Sequence, residues 1–286
     1  MNKMLIPGAL TVMATGLSVV FLESARELHT FRTVHYTLSM PSLAGMRILF
    51  VTDYHEAVGG KMNDRLITAA RRIDPDLILI GGDLVNGTNS GENTEPAVGL
   101  INGLAQIAPT VHAYGNHECK FRENPEMPGS EWEKYRKSLD PQVRFVENEQ
   151  LQLPWRTGPF RIAGLNAPKP FYTRKEKMTT EDVTKYLGKK ADGIPTILLP
   201  HDPTWFSAYA EWGADLTLAG HFHGGVIRFP LLGGFVDPKL HFFPKYDYGI
   251  FEEDGKIMLV SSGLGQHTLP VRWFNTPELV AIDLTE

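Results

Sequence analysis

Seven residues of this chain, Asp53, His55, Asp83, Asn116, His201, His221 and His223, offer the nitrogen and oxygen donors that a borderline or hard divalent cation takes. They stand in five short segments, each at the end of an apolar run: Asp53-Tyr54-His55, Gly82-Asp83-Leu84-Val85-Asn86, Gly115-Asn116-His117-Glu118, His201, and Gly220-His221-Phe222-His223. None is a thiolate, which argues against soft-metal chemistry. Asp53 and His55 are two apart, so in an extended backbone they project to one side and can clasp one ion. Asp83 follows Gly81-Gly82, which lets the backbone approach closely. A carboxylate there can bridge two ions about 4 Å apart. Asn116 serves through a neutral amide oxygen where total ligand charge must stay low. His221 and His223 can face different ions if the loop turns between them. Singly, such triplets are weak signals, because a lone histidine is more often a structural hydrogen-bonder. Unrelated polar loops, however, do not explain why all five segments follow apolar runs and why glycine precedes three of them.

Those donors need a frame that delivers five loops to one place. After Pro41, strand-like apolar runs alternate with helical stretches: a strand over 47–52, a helix over 63–73 and a strand over 76–81 make a βαβ unit. A helix over 96–107, a strand over 110–114 and a charged helix over 131–139 follow. The second half is richer in β, with strands expected over 143–146, 151–153, 160–164, 196–199, 216–218, 256–260 and 279–284, and a helix over 205–212. That mixture is too rich in β for one doubly wound sheet. It predicts an α/β fold of two sheets packed face to face with helices outside. Motifs at strand ends fit such a frame, since α/β sheets gather ligand-binding groups at the carboxyl ends of their strands. Residues 87–91 read as a flexible polar loop and 169–177 as a basic one.

The 286 residues, 42% hydrophobic, suffice for one large domain or two small ones. A formal charge of -5 gives no basic surface for nucleic acid, so DNA and RNA are not expected partners. Cys119, the only cysteine, excludes an intrachain disulfide and a thiolate cluster; beside His117 and Glu118 it reads as a small buried filler rather than a reactive thiol. From Leu5 to Leu22 the chain is uncharged and mostly apolar. An uncleaved amino-terminal membrane anchor is expected ahead of a buried helix, and a cleaved secretory signal fits less well for want of a small-x-small site. Its orientation is not set by flanking charge, because Lys3 lies on one side and Arg26 and Arg32, mixed with Glu23 and Glu27, on the other. The expected organisation is an anchor over 1–24, a linker with an edge strand (33–39) over 25–45, and a catalytic domain over 46–286.

Together the five segments resemble the calcineurin-like metallophosphoesterase family, whose pattern is D-x-H, G-D-x-x-N, G-N-H-D/E, H and G-H-x-H. The similarity runs from about Arg47 to the carboxyl terminus. It implies a four-layer αββα sandwich of two mixed sheets, with two divalent metals (Mn, Fe or Zn) at one rim. By that resemblance Asp53, His55, Asp83 and His223 hold the first metal, and Asp83, Asn116, His201 and His221 the second, Asp83 being shared. His117 would contact the phosphoryl group and protonate the leaving oxygen, with Glu118 orienting it, and a metal-bridging hydroxide would be the nucleophile. The run from Gly220 to Pro230, with Ser261-Ser262-Gly263-Leu264-Gly265 and Pro270-Val271-Arg272-Trp273-Phe274-Asn275, is similar to the membrane-associated bacterial branch. Some members of that branch cleave the pyrophosphate of UDP-2,3-diacylglucosamine in lipid A synthesis. Glu56 after His55, Phe222 inside G-H-x-H and Val226 depart from the usual pattern, and Glu56 leaves metal choice and substrate charge open.

The expected activity is hydrolysis of a P-O bond in a phosphodiester or pyrophosphate, with a lipid-linked nucleotide as one candidate substrate and a membrane as partner. A phosphomonoesterase or protein phosphatase is the rival enzyme. A catalytically silent, metal-stabilised interaction module is the rival from another class. Arg228 is a candidate phosphate ligand, weighed evenly against a surface salt bridge. His241, Lys245, Tyr246 and Tyr248 could line a groove, although ordinary loop packing is the commoner role. Lys169, Arg174, Lys175 and Lys177 could meet anionic headgroups, though such runs are usually solvated loops. Trp132 and Tyr135, three apart on one helix face, could cap the site toward a membrane, though such a face more often packs on a core.

Overall fold

The computed structural model describes residues 22–55, 59–87, 93–124, 129–191, 193–225, 228–229, 233–237, 241–265 and 272–286. Ile48 and Phe50 join one apolar cluster and Leu49 and Val51 another, so a single strand buries both of its faces. Such a strand needs a layer on each side. The first half of the chain supplies β1 (Arg32–Ser39), β2 (Arg47–Val51), β3 (Leu77–Ile80), β4 (Thr110–Ala113) and β5 (Arg144–Val146). The second supplies β6 (Glu149–Trp155), β7 (Gly158–Gly164), β8 (Thr196–His201), β9 (Leu216–Ala219), the short β10 (Arg228–Phe229) and β11 (Gly233–Gly234), β12 (Gly249–Glu253), β13 (Lys256–Val260) and β14 (Glu278–Thr285).

Two six-stranded mixed sheets result, ordered β1-β14-β2-β3-β4-β5 and β12-β13-β9-β8-β7-β6. In the first, β2, β3, β4 and β5 are parallel and β14 is antiparallel to β2; in the second, β13, β9, β8 and β7 are parallel between antiparallel edge strands. Between the sheets lie Ile48, Phe50, Leu79 and Val111 from one and Ile162, Ile197, Leu218 and Leu259 from the other. The helices, in chain order, are α1 (residues 22–28), α2 (Gly59–Ile73), α3 (Glu95–Ala105), α4 (Asn116–Glu123), α5 (Gly129–Ser138), α6 (Lys169–Tyr172), α7 (Thr180–Leu187) and α8 (Phe206–Trp212). Leu66, Leu100 and Tyr135 of α2, α3 and α5 cover the outer face of the first sheet, and Val183 and Tyr209 of α7 and α8 that of the second. The layers are therefore α, β, β, α, as expected.

Helix α7 was not anticipated, although its start is written in the sequence as a capping box. Thr179 Oγ1 accepts the Asp182 N–H at 3.3 Å and Asp182 Oδ2 accepts the Thr179 N–H at 2.9 Å. Strand β12 was also missed, since Gly249–Glu253 is short and its burial is partial. Residues 25–45, expected to be a linker with an edge strand, pack on the sandwich: β1 pairs with β14 over its whole length, and Glu27 of α1 is buried. Trp132 and Tyr135 are buried against Phe121 and Tyr114, which makes them core rather than a membrane cap. Among the described residues no helix is long and apolar enough to cross a membrane. The expected anchor over residues 5–22 lies, but for Leu22, outside the described residues, as do Glu56 and Val226.

Candidate metal centre

The parallel strands of both sheets end at one rim, and the loops leaving them carry the donors: Asp53 and His55 after β2, Asp83 after β3, Asn116 after β4, and His221 and His223 after β9. His201 is the last residue of β8, where the pairing with β9 shifts register. Such a bulge re-aims a side chain. The residues meet as the spacing predicts. His201 Nε2 lies 3.0 Å from Asp83 Oδ2 and 3.9 Å from Asp53 Oδ1; His55 Nε2 lies 3.8 Å from Asp83 Oδ2, and His223 Nε2 3.5 Å from Asp53 Oδ1. Asp53, His55 and His223 form one donor group able to hold a cation, and Asp83, His201 and His221 another. His55, Asp83 and His117 form a third grouping that overlaps the first two.

The backbone is bent to achieve this. Asp53, His55, Asp83, His201, His221 and His223 all have positive φ, between 47° and 69°. For residues with a side chain this left-handed region costs about 1 kcal/mol or more each. Six strained donors at one rim mark a site held by its surroundings. Glycine makes the close approach: a Cβ on Gly115 would collide with the Asp83 carboxylate, and one on Gly220 with that of Asp53.

Hydrogen bonds fix which atoms face inward. His201 Nδ1–H donates to the Gly81 carbonyl at 2.8 Å, which directs Nε2 to the carboxylates. Asp53 accepts the His221 N–H and the Thr52 hydroxyl, and Asp83 Oδ1 accepts the His117 N–H at 2.8 Å from the first turn of α4. The amide oxygen of Asn116 is buried with no hydrogen-bond partner among the described residues. A buried, orphaned amide oxygen in the same cavity wall as His221, one residue before the N–H that Asp83 accepts, fits a divalent cation.

Electrostatics points the same way. Burial opposes charge on Asp83, yet His201, His117 and His55 hold its pKa well below the usual range. Burial likewise disfavours the His201 imidazolium, but Asp83 first and then Asp53 raise it to about 10. Asp53 is pushed up to about 6, chiefly by burial. A proton on His201 thus occupies a position that a metal must take. Metal loading near pH 7 should release about one proton per chain, and affinity should fall by about tenfold per pH unit as pH is lowered. Near pH 6 the protonation of Asp53 adds to that fall. Calorimetric titration with Mn²⁺ in buffers of different ionisation enthalpy measures the released protons; no buffer dependence would contradict the arrangement.

The profile of the calcineurin-like phosphoesterase family matches residues 46–225, which include every one of these donors. The chain belongs to that family. Proteins similar to it include a metallophosphoesterase of Helicobacter pylori, 27% identical across 84% of this chain and 60% of the relative. The metallophosphoesterase YkuE of Bacillus subtilis is 24% identical across 97% of this chain and 92% of its own length, and the phosphodiesterase YaeI of Escherichia coli 29% across 66% and 65%. The chain thus spans less than two thirds of the length of the Helicobacter relative.

Two expected roles are corrected. Glu118 does not orient the His117 ring: its carboxylate accepts the backbone N–H groups of Asp83, Leu84 and Gly115 at 2.8 to 2.9 Å. The ring of His117 is held instead through Nδ1 by the carbonyl of Asn86. Glu118 clamps the Asp83 loop to the start of α4, and burial followed by the Asp83 charge pushes its pKa up to about 7. Glu118→Gln, which turns one acceptor into a donor facing amide donors, should cost about 2 kcal/mol, read as a lower denaturant midpoint. Arg228 is engaged elsewhere: Nη1 donates to Asp247 Oδ2 at 2.9 Å and to the Gly224 carbonyl at 2.7 Å, the salt-bridged arrangement rather than a phosphate ligand.

The other candidates separate clearly. Lys245 and Tyr246 meet Glu253, and Tyr248 donates to Glu278, so these hold loops together. His241 pairs with Asp237, as does Arg174, whose guanidinium also lies over the Phe222 ring. Cys119 donates to Asn166 Oδ1, and burial raises its thiol to about 12, so it is no reactive thiol, although it is part-buried in the cavity wall rather than the buried filler expected. Two supports were missed. Asn86 faces His55 twice, Oδ1 at 3.2 Å from Nδ1 and Nδ2 donating to the carbonyl, and its place at the end of G-D-x-x-N was a visible signal. Asn275 donates to the His223 carbonyl at 2.5 Å and is itself held by Glu27 of α1; no local pattern marks that chain of contacts.

Proposed function

We propose that the chain is a dinuclear phosphohydrolase that cleaves a P-O bond of a phosphodiester or pyrophosphate. The observation that carries this reading is the pair of donor groups, Asp53, His55 and His223 and then Asp83, His201 and His221, linked by the third grouping of His55, Asp83 and His117, with the Asn116 oxygen buried without a hydrogen bond in a cavity wall that it shares with His221. Asp53, His55, Asp83 and His223 would hold one cation, and Asp83, Asn116, His201 and His221 the other. Two divalent ions there supply acidified water at neutral pH and neutralise charge on the phosphoryl oxygens.

The chain's own residues do the rest. His117 lies against the site, its ring 4.8 Å from that of His55, and its Nδ1–H is committed to Asn86. That fixes Nε2 as the atom that carries a proton to the leaving oxygen. Burial lowers the His117 pKa, which makes the imidazolium a stronger acid once formed. Glu118 keeps Asp83 and the start of α4 in register, and Asn275 holds the His223 loop.

A lipid-linked nucleotide such as UDP-2,3-diacylglucosamine, and association with a membrane through the uncharged run over residues 5–22, extend the proposal; an anchored enzyme fits an amphiphilic substrate. The phosphodiesterase name of the Escherichia coli relative favours a diester over a monoester. The test is hydrolysis of bis(p-nitrophenyl) phosphate, p-nitrophenyl phosphate and UDP-2,3-diacylglucosamine by metal-reconstituted protein. Turnover of the lipid nucleotide supports the full proposal. Turnover of the diester alone removes the lipid, and preference for the monoester removes the diesterase reading.

A further inference from the structure

A cavity of about 880 Å³ adjoins the metal centre, with Asn116 and His221 in its wall. Its charged lining comes from Lys120, Arg122, Glu123, Glu147 and Lys169. The carboxylates there are already engaged: Glu147 accepts both an Arg122 nitrogen, at 2.6 Å, and the Asn166 amide, at 2.8 Å, while Glu123 accepts Arg122 Nη2 at 3.0 Å. Lys120 and Lys169 have no carboxylate partner among the described residues. Both line this one cavity, where burial, opposed by the Asp83 charge and reinforced by that of Lys169, holds the Lys120 ammonium below its usual pKa. Lys120 Nζ lies 3.4 Å from His117 Nε2, so this pair of cations begins on the side where His117 meets the leaving oxygen.

We propose that Lys120 and Lys169 form a second anion subsite, which takes a phosphate adjoining the one that is hydrolysed. This rests on the phosphohydrolase reading and narrows it to substrates with a P-O-P linkage or a second phosphate on the leaving side. Two like charges on one cavity wall, neither in an ion pair with a carboxylate among the described residues, are relieved by an anion between them, and ammonium groups bind phosphate oxygens through charge-assisted hydrogen bonds. The metals and the lysines would then hold neighbouring phosphates. Tyr186, in the lining of the same cavity, would meet the rest of the leaving group, while Tyr172, its ring 5.6 Å from that of His221, borders the metal end.

The experiment is calorimetric titration of Mn²⁺-loaded protein, at fixed excess Mn²⁺, with adenosine diphosphate and adenosine monophosphate. The intact chain is expected to bind the diphosphate about tenfold or more tightly than the monophosphate. In the Lys120→Ala/Lys169→Ala variant that ratio should fall to within about threefold, with metal content unchanged. Equal binding by the unaltered protein, or a preference that survives in the double variant, overturns the subsite. If the double variant does not retain metal, Lys120→Gln and Lys169→Gln are titrated singly, and each should reduce the ratio. Turnover of bis(p-nitrophenyl) phosphate by the same preparation reads the phosphohydrolase proposal separately. Diphosphate preference without turnover leaves the subsite standing and the hydrolase reading fallen; turnover without preference does the reverse.

Discussion

Asp83→Ala should reduce kcat on bis(p-nitrophenyl) phosphate by about 10³-fold or more, the equivalent of about 4 kcal/mol of transition-state stabilisation. No other residue of the site joins as much. Its Oδ2 is 3.0 Å from His201 Nε2, its Oδ1 takes the His117 N–H, and it belongs to donor groups on both sides. Removing it leaves His201 without its main counter-charge and frees the start of α4. Elemental analysis should show the loss of at least one metal per chain. Asp83→Asn, which keeps the shape and can still accept from His117, separates charge from packing and should lose metal as well. Near-normal turnover with full metal content in the alanine variant would remove Asp83 from the centre of the mechanism.

His117→Ala should act selectively. A general acid contributes about 10² to 10⁴-fold when the leaving oxygen is basic and little when it is not. Loss on an alkyl phosphodiester should therefore fall in that range, while loss on a nitrophenyl ester should stay below about tenfold. The structure permits the comparison because the hydrogen bond to Asp83 Oδ1 comes from the His117 backbone N–H while the ring is held by Asn86, so truncating the ring leaves that hydrogen bond in place. Equal losses on both esters would show that His117 binds the phosphoryl group without giving up a proton.

Much of this site was legible because its donors are local: a two-residue spacing, a glycine pair and a strand end are visible in a short window. The sheets were legible for the same reason, since buried strands such as Leu77–Ile80 are unbroken apolar runs. Helix α4 escaped because its eight residues are polar and begin on the Gly-Asn-His motif itself, where side-chain chemistry masks periodicity. The Glu118 role escaped because a neighbour in sequence was taken for a neighbour of the ring, whereas on a helix residues one apart diverge. Arg228 was undecided until Asp247, distant in sequence, came into view. Contacts between remote segments, such as Glu27 with Asn275, leave no local trace.

The donors are divided between the two sheets, Asp53, Asp83 and Asn116 following strands of one and His201, His221 and His223 those of the other, and Asp53 contacts His221 across 168 residues. Closing so long a loop is entropically costly, as is seating β14 between β1 and β2, so the seat for the ions forms only with both sheets in place. Ions bound by donors from both sheets cannot template that process, because their seat does not exist until it is nearly over. What they can do is tie the two sheets together at the rim afterwards. Contacts made after the folding barrier leave its height from the unfolded side unchanged and raise it from the folded side. The metals would therefore govern how long the folded chain lasts, not how quickly it is reached.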